Sequence, residues 1–118
     1  MTGNELLARA MALYAETDTS DEDARTLAVP YINMVLAETF DTNNRIRQQK
    51  GLDPLEEIPE IATLNDAIAY EDYLVKLALP YGLASKLYFD EDDNSRLSMF
   101  LQEYADRVNK ADRWVVAF

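Results

Sequence analysis

Two side chains that carry much of protein chemistry are missing from this sequence. Its 118 residues include no cysteine, which excludes disulfides, thiolate catalysis and zinc or iron–sulfur sites with cysteine ligands. They include no histidine either, so the commonest general base and the commonest metal ligand are absent. No apolar run is long enough for a membrane-spanning helix, and the first residues lack the basic start of a secretion signal. We therefore expect a protein that stays in the cytosol where it is made.

The residues that are present favour one soluble domain over residues 1–118. The chain is 48% hydrophobic and 28% charged, a composition that can bury a core. Acidic residues outnumber basic ones by 22 to 11, which gives a net charge of −11. A surface of that sign repels the phosphate backbone, so simple binding of DNA or RNA is not expected.

Helical spacing of apolar residues dominates the chain and predicts an all-α fold, a small bundle of about four helices. A long loop over about residues 41–63, which contains Pro54 and Pro59, should separate the second helix from the third. A short apolar tail at 114–118 should be extended. The predicted helices cover about residues 3–16, from a cap at Ser20 to Phe40, from Asn65 or Asp66 to Phe89, and 95–111.

Two of the predicted helices carry a proline inside a matching pentapeptide. Leu27-Ala-Val-Pro-Tyr31 and Leu77-Ala-Leu-Pro-Tyr81 agree at four of five positions. We expect Pro30 to kink its helix, or to end it with a restart, because proline has no N–H to donate. The apolar residues of the second helix form two stripes, one of which includes Leu27 and Met34, and this favours a central position in the fold.

No cluster of polar residues has the spacing of a catalytic or metal site. Asp90, Asp92 and Asn94 match the first ligands of a calcium loop, but Ser95 and Leu101 stand where its glycine and its bidentate glutamate belong. The acidic residues of the proline-containing loop lie on no rigid element that would hold two carboxylates together as a general acid and a general base. The three glycines are isolated and provide no phosphate-binding loop. We therefore expect no enzyme activity, no cofactor and no metal.

Charge is spread unevenly along the chain. The last 25 residues contain four basic and three acidic residues, whereas the rest of the chain is strongly acidic. An exposed apolar tail is costly on a monomer, so this end should fold back or dock on another chain. The residues expected to make that contact are Arg107, Arg113, Trp114, Val115, Val116 and Phe118.

The second half of the chain resembles the head–tail connector (adaptor) proteins of tailed bacteriophages. The resemblance covers about residues 64–110. It lies in Ile68-Ala-Tyr-Glu-Asp72, Leu79-Pro-Tyr-Gly-Leu-Ala84, the acidic turn Asp90-Glu-Asp-Asp93, and Phe100-Leu-Gln-Glu-Tyr104. These motifs are short and consist largely of packing residues. The loop at 41–63 and the tail at 114–118 have no counterpart in the resemblance.

The resemblance implies a structural role in the virion, at the capsid vertex. Copies would form a ring of about twelve subunits under the portal protein, extend the DNA channel, and offer a platform for the stopper or tail protein. Acidic side chains that face such a channel would repel DNA, so that DNA passes without specific binding. The candidate channel or surface acids are Asp21, Glu22, Asp23, Asp90, Glu91, Asp92 and Asp93.

An acidic helical inhibitor or regulator is the competing hypothesis. A domain with this charge can mimic DNA and occupy the basic cleft of a partner protein. The same acidic residues would then contact the partner directly. Such a mimic would act as a monomer or small oligomer, and its binding would depend steeply on salt.

Overall fold

In the computed structural model, residues 1–16, 20–88 and 94–116 are described, with the backbone alone described for 113–116. Within these ranges the chain is helical and has no strand, which confirms the all-α prediction. The prediction of four helices was wrong, since the described ranges contain six. They are α1 (Gly3–Ala12), α2 (Glu22–Glu38), α3 (Phe40–Gln49), α4 (Asp72–Leu77), α5 (Leu79–Leu87) and α6 (Asn94–Val116).

The start of the predicted loop is helix α3. Thr39 alone separates α2 from α3, and its N–H and hydroxyl both donate to the carbonyl of Val35, so α3 follows almost directly after α2. The face that α3 buries is mostly polar: Thr42 and Asn43 are buried beside Ile46. A search for apolar periodicity misses such a helix, because its partners are hydrogen-bonding groups far away in the sequence.

The predicted third helix is divided in two at Ala78. Residues 65–71 are not helical, α4 has only six residues, and α5 begins at Leu79. Pro80 therefore lies in the first turn of α5. Backbone N–H groups in a first turn have no acceptor within the helix, so the N–H that proline lacks costs no hydrogen bond there.

Pro30 does not end α2, which runs without interruption from Glu22 to Glu38. Because Pro30 has no N–H, the carbonyl of Thr26, four residues earlier, has no donor within the helix. Thr26 and Pro30 are both exposed, so water can satisfy that carbonyl.

The last helix is longer than predicted, and the expected extended tail was wrong for residues 114–116. Helix α6 continues to Val116, and Phe118 lies outside the described residues. Residues 94–116 contain neither glycine nor proline, and valine or tryptophan lowers helix propensity by only about 0.7 kcal/mol or less. An ion pair of 2.9 Å between Arg45 of α3 and Asp112 fixes this part of α6 to the bundle.

Among the described residues, one apolar cluster holds the helices together, and each of the six helices contributes to it. Helix α5 lies in the middle and packs against α1, α2, α4 and α6. The irregular segment between α3 and α4 adds Ile61, Leu64, Ile68 and Tyr70. The largest fully buried side chains are Leu6, Leu7, Met11, Ile32, Val35, Leu36, Ile46, Leu74, Val75, Leu79, Leu83 and Phe100.

Two asparagines hold the irregular segment between α3 and α4 against the bundle. The amide of Asn33 donates to the carbonyl of Ile61 (3.1 Å) and accepts from its N–H (2.8 Å). Asn44 binds both backbone groups of Leu55 in the same way, at 3.1 and 2.8 Å. Each asparagine amide thus satisfies the backbone N–H and carbonyl of one residue, which a neighbouring strand would satisfy in a sheet.

The first residues of the chain pair with the end of the same segment. The N–H of Ile68 donates to the carbonyl of Met1, and the N–H groups of Gly3 and Asn4 donate to the carbonyls of Asp66 and Leu64. The start of α1 is thereby fixed to a part of the chain about sixty residues away.

We expect Asn33→Ala to destabilise the fold by about 1 to 3 kcal/mol, because it leaves two backbone groups of Ile61 without partners. Urea unfolding measures the loss, and hydrogen exchange should show faster exchange of the Ile61 amide. Gln48→Ala on the exposed side of α3 is the control, with an expected change within about 0.5 kcal/mol. Unchanged exchange at Ile61 in the Asn33 variant would contradict the assigned role.

Candidate functional site

A groove opens where the end of α1, the start of α2 and the end of α5 meet. Its volume is about 360 Å3. The walls are mostly apolar and the rim carries three carboxylates, and we call it the acidic groove. It is lined by Met11, Tyr14, Ala24, Leu27, Leu87 and Tyr88, with Glu16, Asp21 and Asp23 at the rim.

The aromatic part of the acidic groove is continuous with the core. The rings of Tyr14 and Tyr88 lie 5.3 Å apart, and Phe100 of α6 packs edge-on against Tyr88 at 5.7 Å. Burial, and after it the charges of Glu16 and Asp21, raises the pKa of Tyr14. The groove therefore combines carboxylates with an aromatic wall, a setting that suits a cation on an apolar stem, and the guanidinium carbon of Arg96 already lies 5.8 Å from the centre of the Tyr88 ring.

An apolar stripe extends from the acidic groove along the exposed face of α2. Leu27 and Met34 are 45% and 49% exposed, and their spacing of seven residues places them on one side of the helix. Pro30 and Tyr31 lie between them at helical spacing. The prediction that Leu27 and Met34 belong to a packing stripe was wrong, because α2 turns Ala28, Ile32, Val35 and Leu36 to the core.

A second surface lies between α4 and α6 and contains two basic side chains, and we call it the basic patch. It surrounds a depression of about 210 Å3 lined by Tyr73, Leu77, Arg107 and Lys110. The guanidinium carbon of Arg107 lies 4.4 Å from the centre of the Tyr81 ring. Leu77 in this surface is 40% exposed.

Three contacts fix the position of the Arg107 guanidinium. Besides stacking on Tyr81, it pairs with Glu103 at 3.0 Å and donates to the carbonyl of Leu77 at 3.2 Å. Arg107 thereby presents a positioned cation next to an exposed leucine, and the ammonium group of Lys110 lies one turn further along α6.

The acidic groove and the basic patch share no lining residue, and only the patch includes residues of α6. Phe100 packs beside the groove, and Lys110 is ten residues further along the helix, which corresponds to about 15 Å. A copy that binds through one surface therefore keeps the other surface available.

The predicted acidic residues divide between this site and the part of the chain that is not described. Asp21 is the N-cap of α2, and its carboxylate accepts from the N–H groups of Asp23 (2.9 Å) and Ala24 (3.5 Å). The expected cap at Ser20 was therefore wrong. Glu22 and Asp23 lie exposed in the first turn, where the helix dipole favours negative charge. Asp90, Glu91, Asp92 and Asp93 lie outside the described residues.

Of the predicted docking residues, Arg107 is the one whose side chain is described, and it belongs to the basic patch. Arg113, Trp114, Val115 and Val116 are described by backbone position in α6, and Phe118 lies outside the described residues. Glu16, Tyr73, Leu77 and Lys110 were not among the site residues predicted from the sequence. One signal could have found Leu77: the matching pentapeptides begin at Leu27 and Leu77, and both of these leucines are exposed on the two surfaces.

In the part of the chain that the structure describes, no three acidic side chains come together as a metal site. Among the same residues, no helix has both the length and the apolar character needed to cross a membrane. A scan of family models and searches of the curated proteins and of the solved structures found no match to this chain.

Proposed function

We propose that this chain is a structural, non-catalytic head–tail connector (adaptor) of a tailed bacteriophage. Copies assemble as a ring of about twelve under the portal protein, at the capsid vertex of the virion, and carry the DNA channel on to the stopper or tail protein. The proposal rests on the resemblance of residues 64–110 to that family and on one observation from the fold.

That observation is the presence of two unlike surfaces on one subunit. A groove with acidic side chains is formed by α1, α2 and α5, and a patch with basic side chains is formed by α4 and α6. Contact between unlike surfaces repeats from copy to copy, and it closes into a ring when the rotation between copies permits. In a symmetric dimer, in contrast, the same two surfaces would pair twice between two copies, across a two-fold axis.

The charge of the chain is compatible with a channel through which DNA passes. The net charge of −11 disfavours lasting contact with phosphate, and Glu22 and Asp23 are exposed at the start of α2. In this proposal the acidic residues repel the phosphate backbone so that DNA does not adhere to the channel, and they take part in no reaction.

Mixing the purified chain with the portal ring of the same phage tests the proposal. Native mass spectrometry should detect a complex in which about twelve copies of the chain are bound to one portal ring. The chain incubated with a basic DNA-binding protein is the comparison. The contrary outcome is that the chain does not bind the portal and instead binds the basic protein as a monomer, with steep salt dependence. That result would favour the DNA-mimic hypothesis and overturn this one.

A further inference from the structure

We propose that the acidic groove of one copy receives the basic patch of a second copy, so that copies join head to tail. This inference rests on the proposed function for its ring, and it names the two surfaces between which the subunit contact forms. The occupant of the groove is accordingly a second copy of this chain.

The chemistry of the acidic groove defines what it can bind. Its apolar side includes Leu27, which is 45% exposed, and the stripe continues to Met34 at 49%. Exposed side chains of this size, side by side, favour coverage by another apolar surface. The carboxylates of Glu16, Asp21 and Asp23 at the rim favour an occupant that carries positive charge. The partner must therefore combine exposed apolar side chains with cations.

The basic patch has this combination on the same chain. Leu77 is 40% exposed, Tyr73 is half-buried beside it, and Lys110 supplies the charge, since the Arg107 guanidinium is already paired with Glu103 at 3.0 Å. Arg107 is already positioned by Tyr81 and by the carbonyl of Leu77, so docking immobilises little additional side chain. The aliphatic stem of Lys110 can lie along the apolar wall while its ammonium reaches a carboxylate at the rim.

A single copy cannot satisfy both surfaces by itself. Both are built on one bundle, and they share no lining residue. When the rotation between copies is not two-fold, each contact leaves the groove of one copy and the patch of the other uncovered. Assembly therefore continues until the chain of copies closes.

Because the sequence contains no cysteine, a pair of introduced cysteines can test the contact without background. Leu27→Cys places a thiol in the groove wall and Leu77→Cys places one beside the patch, and both variants keep every charge. When the two single variants are mixed with a short bismaleimide, we expect at least about tenfold more Leu27–Leu77 heterodimer than Leu27–Leu27 or Leu77–Leu77 homodimer. Glu57→Cys, at an exposed position outside both surfaces, is the matched control partner for Leu27→Cys.

Reversal of charge gives a second, independent test. Lys110→Glu alone and Asp23→Lys alone should each weaken self-association by about tenfold in sedimentation experiments, because each places like charges opposite one another. The two changes together should restore association, since the pair is then reversed and again complementary. Arg9→Glu on α1 makes the same change of charge outside both surfaces and should leave association unaltered.

The outcomes separate the inference from the proposed function. Excess of the heterodimer, together with rescue by the double charge reversal, supports the head-to-tail contact. Equal yields with the Glu57→Cys control, predominant homodimers, or no crosslink at the highest soluble concentration overturns it. If the portal still binds a ring of this chain in that case, the connector proposal stands and the subunit contact lies elsewhere. Failure of the portal to bind, with the heterodimer still formed, would reject the connector proposal alone.

Discussion

Phe100→Ala should destabilise the protein by about 3 to 5 kcal/mol, a large part of the roughly 5 to 15 kcal/mol that holds a domain folded. Phe100 is fully buried, and its ring packs against Tyr88 at 5.7 Å and Tyr14 at 6.4 Å. The substitution leaves a cavity between α1, α5 and α6, and it also removes two aromatic contacts. Thermal unfolding followed by circular dichroism should show a midpoint lower by more than about 10 °C.

The neighbouring residue provides the control for this prediction. Leu101 follows directly in α6 but is 51% exposed, so Leu101→Ala removes a side chain of similar character without a buried cavity. We expect its effect on the monomer to stay within about 0.5 kcal/mol. Equal losses for the two variants would mean that α6 does not face the bundle in the described orientation.

Gly82→Ala should also destabilise the protein, by about 1 to 3 kcal/mol, although alanine is the better helix former. Helices α5 and α6 approach so closely that a β-carbon on residue 82 would lie 2.7 Å from Cε1 and 2.8 Å from Cζ of Tyr104. The ring cannot move away easily, because its hydroxyl donates to Glu38 at 3.0 Å. Burial, and after it the charge of Glu38, raises the pKa of Tyr104, so the phenol remains a donor at neutral pH.

A double-mutant cycle decides whether the Tyr104 ring is the cause. In a Tyr104→Ala background the obstacle is gone, and Gly82→Ala should then stabilise α5 by about 1 kcal/mol. The sign of the effect therefore reverses between the two backgrounds in urea unfolding. A loss of the same size in both would show that the close approach of α5 and α6 is not what requires glycine.

The sequence predicted the helical class correctly because most of the core is built from apolar residues at helical spacing. It predicted the wrong number of helices where polar contacts replace apolar ones. Helix α3 buries Thr42 and Asn43, and the Asn43 side chain accepts from the distant N–H of Glu71. No local pattern contains that information. Two prolines in matching pentapeptides also behave differently: α2 continues through Pro30, and α5 begins just before Pro80.

Only some residues of the candidate site could be predicted from the sequence. The acidic start of α2 can be recognised from Asp21 to Asp23 alone, because residues of this type favour helix N-termini. The exposure of Leu27 and Leu77 cannot be predicted in this way, since leucines at helical spacing usually belong to the core. Which side of an amphipathic helix remains uncovered depends on where the other helices pack, and this is decided by the whole chain.

The pairing of the first residues with residues 64–68 has a consequence for how the chain folds during synthesis. Helix α1 leaves the ribosome first, but the backbone groups that fix its start and the helix α5 against which it packs follow much later. At about 5 to 20 residues per second, residue 87 follows residue 12 by on the order of 4 to 15 s. During that time the apolar face of α1 can pack against α2, but its contacts with α5 and the backbone groups that fix its start are missing. A chaperone that shields short amphipathic helices would therefore increase the yield of this protein more by acting on the nascent chain than on the completed one.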